Sequence, residues 1–190
     1  MIFMSDMLFL ELPLMRTTLF MGRRGSGKTL VAVAIAKELL NRGMVERVYA
    51  NIPLTFGDNP PSNLKRPNDF DFQADYAQDA VFLLDEAWIG FMDFNKDLIR
   101  NLFAYPRHNN QFFLLTSVLP MSQIATYCFH YVKMRWNGNT FGLPIRWMFA
   151  MTASYKEKTN FYLVNESEYY SDYDTTYNAK HIFPVRQHGN

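Results

Sequence analysis

Within the 190 residues of this chain, the stretch Gly22-Arg23-Arg24-Gly25-Ser26-Gly27-Lys28-Thr29 constrains the fold most. Before it stands a short, partly β-branched run, Thr17-Thr18-Leu19-Phe20-Met21, which reads as a buried strand. After it, Lys28 to Asn41 holds no glycine or proline and reads as a helix, apolar almost all round and so buried, with Gly43 as its stop. The stretch matches G-x-x-x-x-G-K-[ST] at every defined position. Glycines let the main chain close around a phosphate without Cβ clashes and turn its N–H groups inward. The helix start at Lys28 sets the positive end of its dipole beneath the anion. Lys28 is then placed to reach the β- and γ-phosphates, and the Thr29 hydroxyl to ligate Mg²⁺. Residues 22–29, with Arg23, Arg24 and Ser26 among them, therefore read as a loop that binds ATP.

The rest of the chain supplies the partners of that unit. Val45 to Ala50 reads as a second strand, ended by Asn51-Ile52-Pro53, and Gly57 to Asp71, with Pro60, Pro61 and Pro67, as a surface loop. Ala80 to Leu84 is an uninterrupted apolar run, the pattern of a parallel strand covered on both faces. Lys96 to Tyr105 has helical character and stops before Pro106, and Gln111 to Ser117 is a further buried strand. Tyr131–Trp136 and Ile145–Ala153, joined through Asn137-Gly138-Asn139, suggest an antiparallel hairpin on the sheet edge. The alternation predicts an α/β fold, a mainly parallel β-sheet sandwiched by helices with an antiparallel C-terminal hairpin. The length suits one domain over 1–190, its core spanning 17–165 and its tail 166–190.

Asp85 and Glu86 follow the apolar strand directly. A carboxylate at such a tip can hold Mg²⁺ beside a phosphate loop, and the next one can deprotonate an attacking water. Alone, the pair could equally cap the helix beginning at Ala87; joined to the loop, the catalytic reading wins. A glutamate base implies hydrolysis. Thr116-Ser117 closes its strand either as a sensor of the γ-phosphate or as a strand reaching solvent. Arg107 is either an arginine finger to a neighbouring subunit or a solvated surface residue. Asn51 either touches the attacking water or, the safer reading, caps the turn through Pro53.

Composition excludes several classes. Nineteen basic residues nearly cancel eighteen acidic ones, so no bulk basic field exists and any nucleic-acid contact is local. The local candidate is Tyr131 to Lys158, where Lys133, Arg135, Arg146, Lys156 and Lys158 face only Glu157, among interleaved aromatics. A hairpin with one solvated face explains it equally well. The single cysteine, Cys128, forms no intrachain disulfide. The four histidines and that cysteine lack metal-ligand spacing, leaving Mg²⁺ with nucleotide as the metal inferred. No segment has the length of a bilayer span or the pattern of an export signal, so a soluble protein is expected.

Taken in order, Gly22–Thr29, Val48-Tyr49-Ala50-Asn51-Ile52-Pro53-Leu54, Leu83–Glu86, Arg107-His108 and Leu114-Leu115-Thr116-Ser117 resemble the FtsK–HerA group of P-loop ATPases. The likeness is to its small viral branch: genome-packaging ATPases of membrane-containing icosahedral viruses, and zonula-occludens-toxin-like assembly ATPases of filamentous phages. It spans 17–117, with an echo in Tyr173-Asp174-Thr175. The resemblance implies a RecA/ASCE-like P-loop NTPase fold and a homo-oligomeric ring, often a hexamer. Such a ring hydrolyses ATP at subunit interfaces and drives DNA through its centre. Lys28, Thr29, Asp85 and Glu86 take the roles argued above, with Arg107, Thr116 and Ser117 as finger and sensor candidates. The family's sensor strand usually ends Thr-Gln, whereas Ser117 follows Thr116 here. The phage branch normally carries a membrane anchor after its ATPase domain, and this chain shows none, which favours packaging. The expected setting is the cytoplasm of an infected cell or the virion, with viral DNA and capsid or portal-vertex proteins as partners. The rivals are a membrane-associated phage assembly or secretion ATPase and a non-motor nucleotide-binding protein.

Overall fold

The computed structural model describes residues 16–56, 62–63, 71–91, 96–104, 106, 108–121, 124, 130–134, 145–152, 160–165 and 170–173. Their strands are β1 (Thr17–Met21), β2 (Arg47–Ala50), β3 (Ser62–Asn63), β4 (Ala80–Leu84), β5 (Phe112–Ser117), β6 (His130–Met134), β7 (Ile145–Thr152) and β8 (Asn160–Asn165). Helices are α1 (Lys28–Asn41), α2 (Ala87–Phe91) and α3 (Lys96–Ala104). The strands form one eight-stranded sheet in the order β3-β2-β4-β5-β1-β6-β7-β8. From β3 to β6 every neighbouring pair is parallel; β6–β7 and β7–β8 are antiparallel.

The α/β, mainly parallel sheet read from the sequence is the one observed, and the hairpin is β6–β7. Its position differs from expectation. β6 pairs in parallel with β1, so the hairpin continues the main sheet, and the outer edge belongs to β8. Asn160–Asn165 is a short apolar run between two asparagines, a pattern that periodicity alone does not assign.

Period-two alternation divides the core into two layers. Phe20, Val81, Leu83, Phe112 and Leu114 point to the face covered by α1, whose Val31, Val33, Ile35 and Leu39 are fully buried. Helix α1 ends in a Schellman arrangement: the Gly43 N–H bonds the Leu40 carbonyl and the Met44 N–H that of Leu39, with Gly43 at φ +64°. Leu19, Phe82, Leu84, Phe113 and Leu115 point to the opposite face and meet Phe91, Ile99, Leu102 and Phe103 of α2 and α3. That second layer is aromatic at its centre. Phe113 stacks on Phe82 at 5.0 Å and meets Phe103 edge-on at 5.1 Å, while Phe72 meets Phe82 at 4.9 Å.

Part of the region expected to be a tail packs on this core. Lys37 of α1 donates to both Asp172 carboxylate oxygens, at 3.0 and 2.8 Å, and Tyr173 bridges Leu54 in antiparallel fashion. Thr55 N–H completes the contact with the Asp172 carbonyl at 3.0 Å. The contact pins the segment that leaves β2.

Phe113→Ala should lower folding stability by about 3–5 kcal/mol, since it empties a site ringed by three phenylalanines. Chemical denaturation checks this, and a loss below about 1 kcal/mol would show that the aromatic layer is not close-packed.

Candidate functional site

Strand order builds the site. β5 lies between β1, which leads into the glycine-rich loop of residues 22–29, and β4, which ends in the acidic pair. The register sets Met21 level with Ser117 and Leu84 level with Leu115, so the next residue, Asp85, comes level with Thr116. All three strands stop at the same end of a parallel sheet, where crevices that receive ligands form.

The loop itself turns through left-handed backbone at Gly25 (φ +71°) and Gly27 (φ +87°). An L side chain at either position would be strained. Gly27 then begins α1 without a side-chain cap, and its carbonyl accepts from the Val31 N–H at 3.1 Å. The uncapped N-terminal amides of α1 are the donors that an anion would satisfy. The loop is anchored by Gly22 N–H to the Ser117 carbonyl (3.3 Å) and Ser26 N–H to the Arg23 carbonyl (3.2 Å). Ser26 Oγ is buried and has no hydrogen-bond partner among the described residues. Arg23 and Arg24 are exposed.

Lys28 is only 6% exposed, and its ammonium donates to the Arg23 carbonyl at 3.1 Å. Burial pushes its pKa below the ordinary lysine value; Glu86 and Asp85 pull it back up, and nearby Arg24 lowers it further. The Lys28 ammonium thus lies within electrostatic reach of both carboxylates.

Asp85 is the point of convergence. Its Oδ1 accepts from Thr29 Oγ1 and from Thr116 Oγ1, each at 2.6 Å. Thr116 Oγ1 also accepts from the Glu86 N–H at 3.0 Å. The Asp85 peptide is clamped on both sides by Asn51, whose Oδ1 accepts from Asp85 N–H at 2.7 Å and whose Nδ2 donates to the Asp85 carbonyl at 2.8 Å. The amide acts as a substitute peptide: Asn51 N–H bonds the Leu83 carbonyl at 3.3 Å, and the side chain carries the parallel ladder one step further. Turn capping through Pro53, the reading preferred from sequence, gives way to this clamp. Asn51 is 4% exposed, and a buried amide needs partners on both ends.

Glu86 sits at φ +49°, a left-handed conformation that is uncommon for glutamate. Such a residue carries about 1–3 kcal/mol of strain and persists only when its surroundings over-determine it. Thr116 holds its N–H, Ile89 N–H bonds its carbonyl at 2.9 Å, and Trp88 Nε1–H donates to its Oε2 at 2.7 Å.

The structure therefore brings Lys28, Thr29, Asp85, Glu86 and Thr116 together. Ser117 is placed otherwise: its Oγ donates to the Leu119 carbonyl at 2.6 Å and accepts from Leu119 N–H at 3.1 Å, closing its own turn. Arg107 lies outside the described residues. Of the basic stretch, Lys133 falls on β6 and Arg146 on β7, while Arg135, Lys156 and Lys158 lie outside the described residues. Asn51 and Trp88 are the contributors that sequence reasoning missed or misassigned. An asparagine at a strand end and a donor-only indole two residues after a carboxylate are the sequence signals that could have found them.

Among solved structures, the chain is similar to the genome-packaging NTPase B204 of Sulfolobus turreted icosahedral virus 2. In complex with AMP, that protein matches with a TM-score of 0.53 and 12% identity, over 78% of this chain and 96% of the other. The two proteins share a fold. The B204 complex with AMPPCP matches at a TM-score of 0.48 and 14% identity, over 67% of this chain and 78% of the other. No family model and no curated protein matches the sequence. Among the described residues, no helix is long and apolar enough to cross a membrane.

The residues fit a magnesium nucleotide. A hydroxyl and a carboxylate in contact are hard oxygen donors of the kind Mg²⁺ takes when phosphates supply further ligands. The unpartnered Ser26 Oγ, uncapped amides and buried ammonium are groups that an anion would satisfy. Lys28 also makes a stability prediction. Between its lowered pKa and the ordinary lysine value of 10.5 the unfolded chain binds a proton that the folded one does not, so nucleotide-free stability should rise with pH across that window. Lys28→Met should flatten the rise and stabilise the nucleotide-free protein at neutral pH, as read from denaturant midpoints at neutral pH and at pH 10.5. A less stable Lys28→Met protein at neutral pH would contradict the assigned cost of burying this charge.

Proposed function

We propose that this chain is an ATPase of viral genome packaging, which assembles as a homo-oligomeric ring and moves DNA into a capsid. The contact of Thr29 with Asp85 carries the reading, because it joins the phosphate loop to the acidic strand tip at 2.6 Å. Supporting it are the fold shared with a viral packaging NTPase and the motif order along the chain. The amides of residues 22–29 and the Lys28 ammonium bind the phosphates. Thr29 Oγ1 and Asp85 Oδ1 are the oxygens that would hold Mg²⁺, which when bound neutralises phosphate charge and makes the phosphorus more electrophilic.

Glu86 acts as the base. Its carboxylate takes one proton from water as the water oxygen bonds to the γ-phosphorus. The bond from that phosphorus to the bridging oxygen breaks, releasing ADP and inorganic phosphate. Thr116 ties the Glu86 main chain to the Asp85 carboxylate, so displacement of that carboxylate or of the Glu86 peptide is felt by β5. Arg107 is the arginine we assign to a neighbouring subunit's nucleotide. The basic stretch 131–158 is the part that tracks DNA, and capsid or portal-vertex proteins receive the ring.

The test is ATP turnover with and without DNA, alongside solution mass with nucleotide. The wild-type protein should hydrolyse ATP, DNA should stimulate it, and added salt should reduce that stimulation. Lys28→Ala should lose nucleotide binding. Glu86→Gln should bind ATP but turn over at least about a hundredfold more slowly. Wild-type turnover in Lys28→Ala would refute the site, and turnover indifferent to DNA would remove the packaging role.

A further inference from the structure

The side chain of Glu86 is held by a single donor among the described residues, the indole N–H of Trp88. The bond runs from Trp88 Nε1 to Glu86 Oε2 at 2.7 Å, the length of a charge-assisted hydrogen bond. It spans only two residues, and that proximity follows from the backbone. Glu86 leaves β4 at φ +49°, and the Ile89 N–H then closes onto the Glu86 carbonyl at 2.9 Å. The tight turn at the mouth of α2 folds the indole back over the carboxylate that precedes it. Both side chains are half-buried, so water competes only in part for this bond.

We propose that Trp88 is a positioning residue for hydrolysis, whose indole N–H fixes the Glu86 carboxylate by Oε2 and leaves Oε1 to take the proton of the attacking water. The inference rests on Glu86 as the base and deepens that reading. Indole suits the task because Nε1 donates and has no acceptor lone pair. It can hold an anion without competing for the water's proton, which a histidine or a hydroxyl in the same place would do. Holding one oxygen also removes rotamer freedom from a long, flexible side chain. A base that must stay within hydrogen-bond reach of one water gains most from that restraint. Thr116 and Ile89 fix the main chain of Glu86, and Trp88 completes the restraint at the far end.

Trp88→Phe keeps an aromatic side chain, though a smaller one, and removes the N–H. The nucleotide dissociation constant should stay within about twofold, while kcat should fall by about tenfold or more. The same substitution in a Glu86→Gln background should leave the residual single-turnover rate unchanged, because Trp88 acts only through that carboxylate. A kcat within twofold of wild type for Trp88→Phe, with Glu86→Gln inactive, would overturn the proposal and leave the base intact. An equal further loss in the Glu86→Gln background, or a matching loss of nucleotide affinity, would mark Trp88 as a packing residue and overturn it too. Wild-type turnover in Glu86→Gln alone would instead remove the base, and the proposal with it.

Discussion

Two hydroxyls meeting one carboxylate oxygen hold this structure's chemistry together. Thr29 comes from the first turn of α1, Thr116 from the end of β5, and Asp85 from the tip of β4. A hydrogen bond to a charged acceptor contributes about 1.5–3 kcal/mol, so two such bonds on one atom weld the three elements firmly. Asn51 adds β2 to the weld by gripping the Asp85 peptide from its other side. Four elements that are distant in sequence are therefore fixed relative to one carboxylate. Remove that carboxylate, and the glycine-rich loop and Glu86 lose their common reference.

The scaffold beneath exists to keep those strand tips level. Parallel strands must be covered on both faces, and the two layers do so differently: aliphatic packing under α1, and stacked phenylalanines under α2 and α3. Phe82, Ala87 and Phe91, which flank Glu86 and Trp88 in sequence, all belong to the second of these layers. Strain at Glu86 and the buried charge at Lys28 are both unfavourable on their own. Stability stored in the core offsets them, a pattern expected where the local rules of folding yield to chemistry.

Much of this could be read from the chain itself. The glycine spacing, the apolar run before Asp85 and the buried strand before Thr116 reveal the fold because each has a period or a motif tied to backbone geometry. The strand order also matters, and sequence shows it only through resemblance: nothing in Phe112–Ser117 by itself says that β5 lies between β1 and β4. Asn51 was misjudged because its neighbour Pro53 signals a turn, while the side chain's true partner is thirty-four residues away. Ser117 was paired with Thr116 by adjacency, yet alternate residues of a strand face opposite ways, and its hydroxyl closes a local turn. The polar role of Trp88 is not legible in sequence, because a tryptophan reads first as core. Strand β8 lacked turn residues with a clear hairpin pattern around it.

The most direct test is a crystal structure with a non-hydrolysable ATP analogue and Mn²⁺ in place of magnesium, located by its anomalous signal. The account predicts one metal peak about 2.1 Å from Thr29 Oγ1 and within hydrogen-bond reach of Asp85, with the triphosphate wrapped by residues 22–29. A triphosphate bound elsewhere, or a metal peak remote from both oxygens, would contradict it.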